Sequence, residues 1–213
     1  MSVQGGEAWF AERLGRATAS RIADIIARTK ERYSTSRENY MVELALERIT
    51  GRRAESYTNA AMQRGTDLEP LARAAYEAST GVLVAEVGMI PHPRIAMAGA
   101  SPDGLVGDDG LIEIKCPNSA THIRTLRSKK PSGEYVTQMA WQMACAGRDW
   151  CEFVSYDPRM PDGLDLFVVR VHRDDAMIAM LETEVDAFLV EVDALVSELM
   201  AMQPGLAGAA SET

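Results

Sequence analysis

Asp103, Glu113 and Lys115 are the residues of this chain whose types and spacing suit chemistry. Asp103 stands in Pro102-Asp103-Gly104, which is turn chemistry, and Asp108-Asp109-Gly110 is a second turn signal. Residues 111–115 then alternate apolar and charged side chains, as a strand does. Residues i and i+2 of a strand share a face, so Glu113 and Lys115 point one way while Ile112 and Ile114 point into a core. If the two segments pair as a hairpin, Asp103 comes beside Glu113. Adjacent carboxylates repel and share protons unless a cation neutralises them, and their hard oxygens suit magnesium or manganese. A lysine beside them can orient or deprotonate a water, or stabilise developing negative charge. That set suits metal-assisted phosphodiester hydrolysis. The same string also fits a surface hairpin with an ordinary Glu–Lys pair, and the spacing alone leaves both readings open.

These residues need a scaffold, and the rest of the chain supplies an α/β pattern. Apolar periodicity predicts helices at 7–14, 21–28, 38–49, 60–79, 119–127, 135–146 and 174–202, and strands at 81–90, 95–100, 111–115, 150–156 and 164–172. Residues 29–37 and 57–61 read as loops and 1–6 as a loose end. Thr18-Ala19-Ser20 offers capping hydroxyls before the Ile22, Ile25, Ile26 stripe. Pro70 interrupts the 60–79 helix, which puts Glu69 at a kink or a helix start. In the last helix Ile178, Leu181, Val185, Phe188, Val192, Leu195 and Leu199 recur at threes and fours, a stripe for the chain's own core or for a subunit contact. The expectation is a central mixed sheet of about five strands flanked by helices. It forms one domain over residues 1–202, with a flexible tail at 203–213.

Charge and cysteines narrow the classes. With 22 basic and 31 acidic residues the net charge is −9, which disfavours a whole-surface DNA binder. Any DNA contact must use a local basic lining, from residues 28–32, 52–53 or 124–130, each of which also reads as a solvated helix face. Cys116, Cys145 and Cys151 lack metal-site spacing, and an odd count without a signal sequence implies reduced thiols in a cytosol. No apolar run reaches membrane-spanning length. His92, His122 and His172 show no ligand spacing.

Several strings carry a resemblance. S-P-D-G-L from Ser101, E-I-K-C-P from Glu113, Y-D-P-R-M from Tyr156, W-F-A-E-R-L-G-R-A-T-A-S from Trp9, G-T-D-L-E from Gly65 and the glutamine of Tyr135-Val136-Thr137-Gln138 stand in order and at family-like spacing over residues 7–175. They closely resemble the lambda-exonuclease and YqaJ-type viral recombinase family of PD-(D/E)xK nucleases. The resemblance implies a restriction-endonuclease-like core. It implies Mg²⁺, replaceable by Mn²⁺, on Asp103 and Glu113 with the Ile114 carbonyl as a further ligand. Lys115 would position or activate the attacking water. Glu69 would complete the metal site directly or through water, although Pro70 departs from the family's sequence; otherwise it is a surface glutamate. Arg13, Ser20 and Ser101 match positions that grip a phosphate at the DNA end. That is sensible chemistry, because arginine binds phosphate bidentately and a helix N-terminus favours an anion. Ser20 reads equally as a plain N-cap. Gln138 matches a glutamine near the scissile strand, though by periodicity it is an exposed helix residue. Met62 aligns with an apolar residue that helps split the duplex. Tyr156-Asp157-Pro158-Arg159 is family-like without an assigned role.

The activity so implied is a 5′-to-3′ exonuclease on double-stranded DNA ends, leaving a 3′ single strand for phage-type recombination by annealing. A homotrimer ring, a single-strand annealing partner and a bacterial cytosol of phage or prophage origin are implied with it. The alternatives are a site-specific endonuclease on the same core and an inactive DNA-end-binding protein. The intact Asp103, Glu113 and Lys115 argue against the last.

Overall fold

Residues 111–115 become part of the central strand of a five-stranded mixed sheet, with a helical layer against each face. The structure is a computed structural model that describes residues 4–30, 32–54 and 60–202, with the side chains of 60–62 outside the description. In chain order the elements are α1 (Glu7–Arg13), β1 (Ala17–Thr18), a 3₁₀ turn (Ala19–Arg21), α2 (Ile22–Ile26), α3 (Thr35–Thr50) and α4 (Ala60–Thr80). Next come β2 (Val84–Ala85), β3 (Ile90–Pro91), β4 (Ala98–Ala100), β5 (Gly104–Val106) and β6 (Gly110–Lys115). The chain closes with α5 (Ser119–Ser128), α6 (Gly133–Ala146), β7 (Trp150–Tyr156), β8 (Leu166–His172) and α7 (Asp175–Ala201). The expected loop at 57–61, the start of the loose N-terminus and the tail at 203–213 lie wholly or partly outside the described residues.

The sheet order is β2-β5-β6-β7-β8. β6 and β7 run parallel and the other neighbours antiparallel. A parallel pair needs a long crossover, and α5 and α6 fill it. One face of β6 sends Ile112 and Ile114 against Ala72 and Tyr76 of α4; the other sends Leu111 against Met139 and Met143 of α6. The strand is therefore buried on both faces, its charged side included.

Three expectations are corrected. The strand expected at 81–90 is two short strands in different sheets, β2 and β3. The strand expected at 95–100 is not in the sheet of the hairpin that carries Asp103 and Glu113. It shrinks to β4 and joins β1 and β3 in a separate three-stranded sheet. Pro102 explains the break: it has no N–H to extend a ladder, so the chain turns out of one sheet and starts β5 in the other. Finally, α4 runs through Pro70 without ending, and Glu69 sits in its interior. Pro70 is exposed, so its ring faces solvent rather than the sheet.

Most other elements match the periodicity within a few residues. α3 and α6 end on Gly51 and Gly147 at φ +63 and +64, the left-handed geometry that glycine adopts without strain. The α7 stripe is satisfied within the chain from Ile178 to Val192: Phe188 stacks on Tyr40 of α3 at 5.7 Å, and Glu191 takes both terminal nitrogens of Arg37 at 2.7 and 2.8 Å. Leu199, past this packing, is 40% exposed. Among the described residues no helix is long and apolar enough to cross a membrane.

Candidate active site

The β5–β6 hairpin sets the site. Gly104 pairs with Ile112, so one step further Asp103 lies opposite Glu113. Asp103 Oδ2 accepts the Ile114 N–H at 2.6 Å, which locks the acid to the strand. Glu113 and Lys115 share the face toward α6, and the Lys115 ammonium is ion-paired with Glu113 Oε1. Lys115 Nζ also lies 5.2 Å from the centroid of the Tyr135 ring. From α6, Gln138 Nε2 donates to Glu113 Oε1 at 2.7 Å and Gln142 Nε2 donates to Oε2 at 2.6 Å. Gln138 is thus half-buried and engaged, not the exposed residue its periodicity suggests, because α6 lies directly over β6. Glu69 comes from α4, on the other layer, and is paired with Arg73 one turn on at 2.9 Å; Arg73 also meets Glu86.

The electrostatics describe an excess of negative charge. Burial pushes the Asp103 carboxyl well up, and the charge of Glu113 adds to it. Burial likewise raises Glu69, opposed by Arg73 and reinforced by Glu113. Burial works against the Lys115 ammonium, but Glu113 and Asp103 outweigh it and raise Lys115 above its ordinary value. Three acids therefore share a low-dielectric region with one lysine, and Arg73 is divided between Glu69 and Glu86. Among the described residues no three His, Cys, Asp or Glu side chains form a ready-made ion cage. The oxygens of Glu113 are turned to amide and ammonium donors, and one oxygen of Asp103 is turned to the Ile114 N–H. This donor set fits magnesium, which commonly takes one or two carboxylates and completes its shell with water and substrate phosphate.

A second feature lies beside it. Arg13 Nη1 donates to Ser101 Oγ at 3.1 Å, and Trp9 Nε1 donates to the same oxygen at 3.0 Å. Arg13, Ser20, Arg53 and Trp9 line a cavity of about 300 Å³. Ser20 also lines a neighbouring cavity of about 310 Å³ together with Gln138 and Tyr135, so it stands between the two groups. The expected caps are corrected: neither Thr18, at the N-cap of the 3₁₀ turn, nor Ser20, inside it, makes a side-chain cap. Thr18 Oγ1 instead accepts from Arg13 at 3.4 Å, and its backbone N–H donates to the Tyr40 hydroxyl at 3.1 Å. The backbone of Met62 is in α4, but its side chain, and with it the duplex-splitting role, lies outside the described residues.

The chain from residue 8 to 149 matches the model of the YqaJ-like viral recombinase domain. The chain belongs to this family. It is similar to an alkaline exonuclease, LHK-Exo, from Laribacter hongkongensis. One crystal structure of that protein is 57% identical over 92% of this chain and 97% of its own, with a TM-score of 0.86. A second, of LHK-Exo in complex with dAMP, is 58% identical over 91% and 96%, also at 0.86. A phage-related exonuclease from Haemophilus somnus 129PT shares the fold at a TM-score of 0.71 and 19% identity, over 86% of this chain and 96% of its own. No curated protein sequence matches the chain. Family membership and the mixed α/β fold are as the motifs implied.

Four residues escaped the sequence reading. Gln142 was findable, because it is one helical turn from Gln138 and so shares its face. Arg73 stands in the same relation to Glu69. Tyr135 and Arg64 gave no local signal. Arg64 Nη1 donates to the Pro117 carbonyl at 2.9 Å, just past Lys115, and Nη2 reaches Asp157 at 3.2 Å. The Y-D-P-R string thereby acquires a structural role. Asp157 is fully buried and accepts from Ser119 Oγ at 2.6 Å and Arg159 Nε at 2.7 Å, tying α4, α5 and the end of β6 together. All three cysteines are buried and unpaired. Burial, with Glu69 adding, pushes the Cys116 thiol up to about 12, so it is no nucleophile at neutral pH.

The Arg159 hydrogen bond, partly opposed by burial, holds Asp157 well below the usual carboxylate range. A lowered folded-state pKa stabilises the fold above the unfolded value, about 4, and that stabilisation is lost as pH falls further. Asp157→Ala is expected to cost about 2 kcal/mol at pH 7 and about 1 kcal/mol less at pH 3, where the unfolded carboxyl is mostly protonated and the folded one is still ionised. Urea unfolding at the two pH values measures this; equal losses at both would show that the charge is irrelevant.

Proposed function

We propose that this chain is a magnesium-dependent exonuclease that digests one strand of duplex DNA from its 5′ end and leaves a 3′ single strand for recombination by annealing. The observation that carries this reading is the meeting of Asp103, Glu113 and Lys115 at one end of the hairpin, in a chain 58% identical to LHK-Exo. Asp103 and Glu113 would hold the cation, with Glu69 and the Ile114 carbonyl completing its surroundings; Mn²⁺ would substitute for Mg²⁺. When bound, the cation supplies Lewis acidity toward the scissile phosphate and activates water for attack. Lys115, kept charged by its two acids, orients that water or offsets charge developing on the phosphate. Gln138 fixes Glu113 at the strand to be cut. Arg13, Ser101 and Ser20 would receive the terminal phosphate.

An acidic chain must confine its DNA contacts. Arg124, Arg127, Lys129 and Lys130 are exposed on and after α5, which starts four residues past Lys115, and provide a local basic surface. A ring of three copies would enclose such surfaces, with a mass near three times 23.3 kDa by light scattering. A bacterial cytosol and an annealing protein as partner complete the reading.

The test uses duplexes labelled at either end, with and without EDTA, beside a closed circular plasmid. Loss of the 5′ label first, no cleavage in EDTA and an intact circle are expected. Cutting of the closed circle would establish an endonuclease, and no cutting of any substrate an end-binding protein.

A further inference from the structure

Glu113 is held through both of its oxygens. Oε1 accepts from Gln138 Nε2 at 2.7 Å and from the Lys115 ammonium; Oε2 accepts from Gln142 Nε2 at 2.6 Å. An ionised carboxylate offers about four acceptor positions. Three are taken by these donors, and the remaining one belongs to Oε2. Gln142 is the donor to that oxygen among the described residues. It is fully buried, and its own Oε1 has no hydrogen-bond partner. Turning the amide over does not help, because its oxygen would then face the carboxylate. The amide orientation is therefore dictated by Glu113. A buried glutamine with an orphaned acceptor is a costly choice, and what offsets the cost is its hydrogen bond to the buried Glu113 carboxylate.

We infer that Gln142 is a positioning residue that aims the open acceptor position of Glu113 Oε2 at the divalent cation. The inference rests on the reading of Glu113 as a cation ligand. Gln138 differs, since it shares its oxygen with Lys115, which remains a donor if Gln138 is lost. A residue that orients a metal ligand in this way commonly accounts for about 10–100-fold in metal affinity or activity.

Calorimetric titration of Ca²⁺ into the DNA-free full chain tests this, with wild type beside Gln142→Met and Gln142→Asn. The Met variant removes the orphaned acceptor, and the Asn variant withdraws the amide by one methylene. Each is expected to raise the Ca²⁺ dissociation constant about tenfold. The metal-free Met variant loses the donor to a buried carboxylate oxygen along with the orphaned acceptor, so its melting temperature should fall modestly while the chain stays folded. Cleavage by either variant should need more Mg²⁺ for half-maximal rate and regain most of the wild-type rate at saturation. If wild type binds no Ca²⁺ or Mg²⁺, the cation reading itself falls. If wild type binds and either folded variant binds equally well, only the positioning role falls. It falls too if the loss of affinity disappears once each titration is scaled to the folded fraction of the variant, which would make Gln142 an ordinary core residue.

Discussion

Lys115→Ala is expected to slow DNA cleavage by about a thousandfold while divalent-cation binding persists. The ammonium contacts Glu113 and is raised in pKa by Glu113 and Asp103 against the effect of burial, so it is a fixed positive charge within the acid cluster. On the proposed reading, its removal takes away the group that would orient the attacking water or meet developing charge. The carboxylates are then left with greater mutual repulsion, which a cation relieves, so binding should hold or tighten. Asp103→Ala should behave oppositely: it removes an oxygen donor, and both cation binding and cleavage should be lost. Single-turnover cleavage rates and Ca²⁺ titrations on the same preparations separate the two cases. A folded Lys115→Ala enzyme within a few-fold of wild type would remove lysine from the chemistry.

Arg13→Ala is expected to reduce the preference for a 5′-phosphorylated over a 5′-hydroxyl duplex by about tenfold, because a charge-assisted hydrogen bond contributes roughly 1.5–3 kcal/mol. The geometry supports this size of effect. Arg13 is already fixed before any ligand arrives: it donates to Ser101 at 3.1 Å, and its guanidinium carbon lies 4.3 Å from the centroid of the Trp9 ring. Little ordering remains to be done on binding. Burial lowers the Arg13 pKa, and Arg53 adds to this against Tyr40 and Glu47; an anion in the cavity would oppose that shift. Cleavage time courses on the two kinds of end measure the preference. An equal fall on both would place Arg13 in general DNA binding or in folding.

The hairpin was legible in the sequence because its information is local. Turn residues on both sides of an alternating run determine the register, and the register alone brings Asp103 opposite Glu113 and puts Lys115 on the face of Glu113. The long helices were legible for the same reason, since 3.6-residue periodicity is a property of the segment itself. The family was legible because its strings are short and contiguous.

What the tertiary structure decided is which layer meets which. The alternation of residues 111–115 marks one face as charged, but only the packing of α6 over that face buries Glu113 and gives each of its oxygens an amide donor. Glu69 joins the acids because α4 continues through an exposed Pro70, and that depends on which way the helix turns its proline. Nor could spacing reveal that Pro102 ends one sheet and lets β5 begin in another. Arg64 and Asp157, 93 residues apart in sequence, meet at the end of β6 because the parallel β6–β7 pair and the helices around it bring them there. Local patterns determine elements and faces; contacts between distant segments depend on how those faces fill one another, and no single segment carries that information.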